Sequence, residues 1–322
     1  MSDQGRVHKR QRSLKDEFID ISKMRRLTTS LDNLREELRG VAETETQMEE
    51  VMKHVDMLDR ILRESKRVKV SFSNASMTEL ENLGVEEGQL IFVNLPLNNL
   101  LEENKKDDLL NKSFNDLLSQ LRKIYQRVNM DYEAGARMVL DAILLFLGDV
   151  ISVKSPDRDI AIIPEMKPHE ALFKKDGYEV TFSGSVDYAI IEYEADQEGD
   201  HQARLVGPNS HGETYVYRVA EGRLFLVQAS LGLFIPEAVT QAMAVLSNSN
   251  RDTVRFCLSD GEQFIFFILK HENGSYTYYR SITQNLSRPG LPDFEDRLRR
   301  VVGLLLEWLH PTGEENLYKL EK

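Results

Sequence analysis

The spacing of apolar residues changes from a helical to a strand period near residue 150, and no other feature constrains the fold as strongly. Seven short runs rich in β-branched and aromatic residues follow this point, separated by turn residues. The runs cover residues 178–182, 186–193, 215–219, 224–229, 253–258, 263–269 and 276–280. They predict a sheet of short strands in the second half of the chain.

Segments with helical spacing surround the predicted strands. One predicted helix spans residues 131–147, a second begins near Pro236 between two strands, and a third spans residues 294–310. Asp260-Gly261, between two predicted strands, predicts a two-residue hairpin turn of the primed type because this pair tolerates positive φ. The pattern predicts an α/β fold in which helices flank a mixed central sheet.

The first 112 residues have a different character. Residues 1–26 form a basic tail, which suits either a solvated segment or a nuclear-import address. Apolar residues then recur at alternating spacings of four and three from Leu27 to Val55, which predicts a long amphipathic helix with a coiled-coil-like seam. Such a seam packs against a partner helix, from another chain or from a later part of this one. Residues 27–112 are thus expected to form this helical region and a connector.

Composition limits the compartment and the partners. Cys257 is the single cysteine of 322 residues, so no intrachain disulfide forms, and a reducing compartment is expected. The sequence has no apolar signal-peptide core and no stretch long enough to cross a bilayer, which predicts a cytoplasmic or nuclear protein without membrane contact. A net charge of −12 argues against a dominant nucleic-acid-binding surface, but it is compatible with a local basic groove.

The order of helix, strands, helix and strands, together with a few polar positions, resembles the PD-(D/E)XK nuclease superfamily. The likeness is strongest to its RecB-like and Crinkler-type modules, which occur in fungal proteins. The matching segments are Ser183–Tyr188, Leu224–Ser230, the helix that carries Ala238 and Gln241, and Val254–Phe267. The resemblance implies a restriction-endonuclease-like core over residues 113–310, followed by a C-terminal tail over residues 311–322.

The resemblance also assigns a role to individual positions. Active members of the superfamily hold Mg²⁺ or Mn²⁺ between strand carboxylates, and the metal activates water against a phosphodiester. Asp187 matches the metal-binding aspartate, Glu133 matches the auxiliary acidic position, and Gln241 matches a helix position that faces the site. Gln228 stands where the second carboxylate belongs, and Ser230 stands where the catalytic lysine belongs. The resemblance therefore implies a degenerate nuclease site.

Lysines migrate within this superfamily, so other side chains could take the roles missing at Gln228 and Ser230. The candidates are three lysines and two glutamates: Lys174, Lys175, Lys270, Glu192 and Glu194. Strand alternation places both glutamates on the face opposite Asp187, which makes them poor substitutes. Arg137 lies one helical turn after Glu133, and this spacing predicts an ion pair on a solvated helix face.

Three functions are compatible with the sequence. The preferred hypothesis is a nuclease-like protein without activity, which serves as an interaction or nucleic-acid-associated module and needs no cofactor. An active nuclease with migrated residues and bound Mg²⁺ or Mn²⁺ is the first alternative. A structural protein that acts through its N-terminal helix is the second.

Overall fold

The computed structural model describes residues 53, 55–56, 68–195, 204–206, 223–228, 234–286, 288–311 and 317–322. The chain divides into two units, Met1–Val68 and Lys69–Lys322. The basic tail over residues 1–26 lies outside the described residues, and so does the leucine seam except for Val55. The coiled-coil-like helix accordingly stays a prediction.

The first half of the second unit is mainly helical. Its elements are β1 (Val68–Ser71), a 3₁₀ turn (Phe72–Asn74), α1 (Met77–Asn82), β2 (Glu86–Phe92), α2 (Asn94–Lys106), α3 (Asp108–Arg127) and α4 (Glu133–Lys154). Helix α4 was expected to end near residue 147. It continues to Lys154 because Val150 and Ile151 extend its buried apolar face.

Strands dominate the second half. The elements are β3 (Arg158–Met166), β4 (Ala171–Lys175), β5 (Tyr178–Ser183), β6 (Val186–Glu194), β7 (Arg223–Gln228), α5 (Ile235–Ser247), β8 (Thr253–Ser259), β9 (Gln263–Glu272), β10 (Ser275–Ser281), β11 (Gln284–Asn285), α6 (Phe294–Leu309) and β12 (Tyr318–Glu321). Six of the seven predicted strands are confirmed, and the run over residues 215–219 lies outside the described part of the chain.

The described strands form two sheets. The larger has the order β12-β2-β10-β9-β8-β7-β6-β3, with β11 paired to β9, and the smaller has the order β1-β5-β4. The β2–β10 and β7–β8 pairs are parallel, and the remaining pairs of the larger sheet are antiparallel. The fold is therefore mixed α/β with helices flanking the sheets, as the sequence predicted.

Two segments predicted to lie outside the core belong to the larger sheet. Strand β2 comes from the expected connector and β12 from the expected C-terminal tail, and they pair antiparallel with Leu90 opposite Leu320. Strand β2 also needs glycine at position 88, where a Cβ would come within 2.8 Å of the Tyr279 ring and of the Glu321 carbonyl oxygen. The connector and the tail thus complete one end of the sheet.

The two faces of the larger sheet are covered differently. Helices α3, α4 and α6 bury one face around Leu121, Phe266 and Trp308, which are each 2% exposed or less. On the other face Phe256 stacks on Phe267 at 4.7 Å, and α5 packs against β8 and β9. Burying one large apolar side chain stabilises a fold by about 1.5–3 kcal/mol, so this three-layer core carries most of the favourable energy.

The hairpin between β8 and β9 differs from its predicted form. Ser259 pairs with Phe264, which leaves four residues in the loop instead of two. Gly261 has a φ of 83°, and the Asp260 carboxylate accepts hydrogen bonds from the backbone N–H groups of Glu262 and Gln263 at 2.9 and 2.7 Å. The hairpin is confirmed and the primed two-residue turn was wrong, because the aspartate side chain satisfies a wider loop.

None of the helices that the structure describes is long and apolar enough to span a membrane.

Candidate functional site

An ion pair between Arg137 of α4 and Asp187 of β6 lies at the centre of the candidate site. The Arg137 Nη2 donates to Asp187 Oδ1 at 2.7 Å, and the two side chains are 29% and 16% exposed. Arg137 also donates from Nε to Glu133 Oε1 at 3.0 Å, which confirms the predicted pair one helical turn away. Glu133 is 63% exposed, as a solvated face requires, whereas Arg137 is only 29% exposed because it also reaches Asp187, on a strand 50 residues later.

The turn before β6 positions Asp187. Gln241 of α5 is 1% exposed, and its Nε2 donates to the Ser185 carbonyl oxygen at 3.0 Å. Gly184 has a φ of 145°, and a Cβ there would lie 2.7 Å from the Phe72 ring. Gln241 therefore fixes the start of the strand that carries Asp187, which is a positioning role.

A third carboxylate faces Arg137 from the neighbouring strand. Pro164 pairs with Tyr188 and Met166 with Val186, so the antiparallel register sets Glu165 beside Asp187. The Glu165 carboxylate is 3.5 Å from Arg137 Nη1. Glu165 has a φ of 51°, a left-handed conformation that costs a non-glycine residue about 1 kcal/mol or more. The sheet holds this strained backbone where its carboxylate meets the guanidinium.

Strand β7, on the other side of β6, places the backbone of Gln228 opposite that of Asp187. Tyr188 pairs with Val227 in the antiparallel β6–β7 register, and one further step sets Gln228 opposite Asp187. Glu165, Asp187 and Gln228 therefore occupy corresponding positions on three adjacent strands. Ser230, the other position implied by the resemblance, lies outside the described residues.

Glu237 completes the cluster, and the sequence interpretation missed it. It lies in the first turn of α5, and burial, followed by the negative charges of Asp187 and Glu133, raises its pKa to about 6. A signal was present, because Glu237 precedes Gln241 by four residues and thus shares its helix face. Glu165 had no comparable signal, since a left-handed glutamate in a strand has no sequence signature.

The charges of the site gather around one guanidinium. Burial disfavours the charge on Arg137, but Asp187 and Glu133 outweigh it and hold the pKa of Arg137 above its usual value. In the part of the chain that the structure describes, no group of three or more histidine, cysteine, aspartate or glutamate side chains is arranged to hold a metal ion. The described carboxylates Glu133, Glu165 and Asp187 are instead arranged around the guanidinium of Arg137.

The three lysines that could replace the catalytic lysine contact other groups. Lys174 of β4 pairs with Glu179 at 2.9 Å, and Lys270 of β9 pairs with Glu272 at 3.3 Å. The Lys175 amine lies over Gly84, where an added Cβ would meet it. These contacts supply no cation to the row of polar residues at Asp187.

The two glutamates that could replace the missing second carboxylate also have other contacts. Glu194 pairs with Arg158 at 3.4 Å near the surface. Glu192 is 2% exposed, its Oε1 is 2.7 Å from His310 Nδ1, and His310 Nε2 is 3.2 Å from Ser155 Oγ.

The chain of Glu192, His310 and Ser155 has the connectivity of a hydrolytic triad, but its setting favours a structural role. Ser155 caps the C-terminus of α4 and His310 caps the C-terminus of α6. The negative end of a helix dipole lies at a C-terminus, where it opposes an oxyanion. We therefore interpret this chain as a tie between the ends of two helices and the buried strand β6.

Comparison with known proteins adds no family assignment: no protein-family model matches the sequence, and no curated protein is significantly similar to it.

Proposed function

We propose that this protein is a non-catalytic relative of the PD-(D/E)XK nucleases, with a restriction-endonuclease-like core in which Arg137 takes the place of the divalent cation. The observation that carries the proposal is the 2.7 Å ion pair between Arg137 and Asp187. Asp187 matches the metal-binding aspartate of that superfamily by resemblance. In this chain its carboxylate holds a covalently attached cation.

The chemistry of a guanidinium supports the loss of hydrolysis. A divalent cation polarises a bound water and so generates hydroxide near neutral pH. A guanidinium only donates hydrogen bonds, has no open coordination position and stays protonated in proteins. It balances the charge of the carboxylates without activating a nucleophile. Neutral Gln228 and Ser230, at the positions of the second carboxylate and the lysine, agree with this loss.

One observation favours the alternative of an active enzyme. Glu237 is a helix carboxylate whose charge interacts with that of Asp187, and its pKa of about 6 suits proton transfer near neutral pH. In that case Glu237 replaces the carboxylate missing at Gln228. The alternative requires Arg137 to leave Asp187 when a metal ion binds.

A cleavage assay separates the two functions. Purified full-length protein is incubated with single- and double-stranded DNA and RNA in Mg²⁺ or Mn²⁺, beside Asp187→Ala and Glu237→Gln. We expect no divalent-dependent cleavage above the level of either variant. Cleavage by the wild-type protein that both substitutions abolish would establish the active enzyme, and Glu81→Gln, an exposed change outside the site, is the matched control.

As an interaction module, the protein uses the leucine seam from Leu27 to Val55 to pair with a helix of a partner, and a second copy is the simplest partner. Support comes from the heptad-like spacing of the seam. Sedimentation velocity of the full chain is expected to give a mass above that of a monomer. Leu31→Glu with Leu38→Glu should return it to a monomer, and a monomeric wild-type chain would contradict self-association.

A further inference from the structure

A wide cleft opens at the end of the larger sheet that is remote from Asp187. Strand β10 pairs with β2 as far as Ser281 opposite Leu90, and the chain then leaves β2 to form β11 on β9, with Gln284 opposite Phe264. The divergence leaves a cleft of about 980 Å³ between β2 and residues 281–284. Small-molecule sites commonly have volumes of about 300–1,000 Å³, so this cleft has the size of a ligand site.

Arg300 of α6 lines this cleft, and its positive charge is not paired with a carboxylate of the described residues. It is half-buried, and its Nε donates to the Gln284 Oε1 at 2.8 Å. Within the described residues it has no carboxylate partner, and burial lowers its pKa. Its neighbours on the same helix are paired, Arg297 with Asp293 at 2.6 Å and Arg299 with Glu295 at 3.1 Å. A half-buried guanidinium without an anion is costly, and an anionic ligand would remove that cost.

The remaining charges of the cleft limit the ligand to one anionic group. Arg280 is neutralised by Glu87 at 3.2 Å, and Lys322 by Glu86 at 2.7 Å. Glu321 adds a carboxylate to the lining. A polyanion such as a nucleic-acid backbone would meet this carboxylate and the paired glutamate, whereas a single carboxylate or phosphate group would meet Arg300.

Apolar side chains supply a surface for the rest of the ligand. Ile91 of β2 and Ile282 after β10 line the cleft and are 40% and 77% exposed. We propose that this cleft binds a small organic anion, with its one carboxylate or phosphate group on the guanidinium fork of Arg300 and its apolar body against Ile91 and Ile282. The site is independent of the proposed function, because it lies on other strands.

The full-length protein is titrated with benzoate and with phenyl phosphate at constant ionic strength. Binding is measured by calorimetry and by the arginine Nε–H signals in NMR. Wild-type protein is expected to bind at least one probe saturably, with a shift of the Arg300 signal. Arg300→Gln should weaken binding about tenfold or more, since it removes a charge-assisted bidentate contact. Arg297→Gln, on the same helix but in a surface ion pair, should bind like the wild type.

One further measurement and one further variant keep the result interpretable. A glutamine at position 300 retains a donor for Gln284, so the thermal midpoint of Arg300→Gln should stay near that of the wild type. Arg300→Lys keeps the charge but loses the fork and should bind with intermediate affinity. The preferred probe assigns the site to carboxylates or to phosphates. Equal affinities in all four proteins, or no saturable binding of either probe by the wild type, would overturn the proposal.

Discussion

At the scale of single residues, the candidate site consists of one cation and the carboxylates that it balances. Glu133, Glu165, Asp187 and Glu237 come from four different elements, and their negative charge exceeds the single positive charge of Arg137. Glu237 is half-buried and has no ion pair among the described residues, so it is the carboxylate whose pKa is raised. Protonation of Glu237 therefore relieves repulsion within the folded state.

The burial of Glu237, together with this repulsion, predicts a pH-dependent stability. The pKa of Glu237 rises from 4.5 to about 6 on folding, so the folded state binds the proton more tightly than the unfolded chain. The stabilising contribution is then complete below about pH 4.5 and is lost as the pH rises through about 6. After allowance for solvent screening, the effect is about 1 kcal/mol.

Glu237→Gln removes this titration. Relative to the wild type, its free energy of unfolding in urea should rise by about 1 kcal/mol more at pH 8 than at pH 4.5. Glu81→Gln, at an exposed position, should show no such difference between the two pH values. An equal change at both pH values for Glu237→Gln would refute the account of its environment.

At the scale of elements, His310 ties the ends of α4 and α6 to strand β6. The buried Glu192 carboxylate has His310 as a hydrogen-bond partner at 2.7 Å, and Ser155 lies on the other ring nitrogen. His310→Ala is expected to destabilise the fold by roughly 2–3 kcal/mol, because it deprives a buried carboxylate of this partner. Thermal and urea unfolding measure the loss.

A second change distinguishes this tie from simple packing. Glu192→Gln in the His310→Ala background removes the buried charge and should recover part of the lost stability. If His310→Ala lowers the free energy of unfolding by less than about 0.5 kcal/mol, as an ordinary surface substitution does, then His310 does not stabilise the fold in this way.

The elements were the part of the structure most accessible from the sequence. Strand β6 was predicted because its β-branched and aromatic residues form a run between turn residues, and α5 because Pro236 suits a first helical turn. The segment of β2 was assigned to a connector with small elements, because its short apolar run Leu90–Val93 is followed by Pro96 and a charged stretch. Its place in the sheet depends on pairing with β10, about 190 residues later, which no local pattern encodes.

The site was predicted less completely than the elements, for a similar reason. The resemblance supplied Asp187, Glu133 and Gln241, and the structure sets the first two on Arg137 and the third on the turn before β6. The role of Arg137 could not be read from the sequence, because its helical spacing to Glu133 explains it equally well as a surface pair. Only the packing of α4 against the start of β6 decides which contact it makes.

At the scale of the whole molecule, the two ends of the larger sheet carry separate groups of charged side chains. The β3–β6–β7 end holds the surplus of carboxylates around Arg137, and the β2–β10 end holds the guanidinium of Arg300 in the open cleft. The core between them is apolar and buried. Two separate polar sites on one sheet agree with the binding module that we propose.

We propose that Arg137 occupies the place of a divalent cation at Asp187. A crystal of the full-length protein equilibrated with Mn²⁺, with anomalous diffraction measured at the manganese edge, is the decisive experiment. We expect no manganese peak within coordinating distance of Asp187 and an intact ion pair to Arg137. A manganese ion bound to Asp187, with the Arg137 side chain displaced, would contradict it.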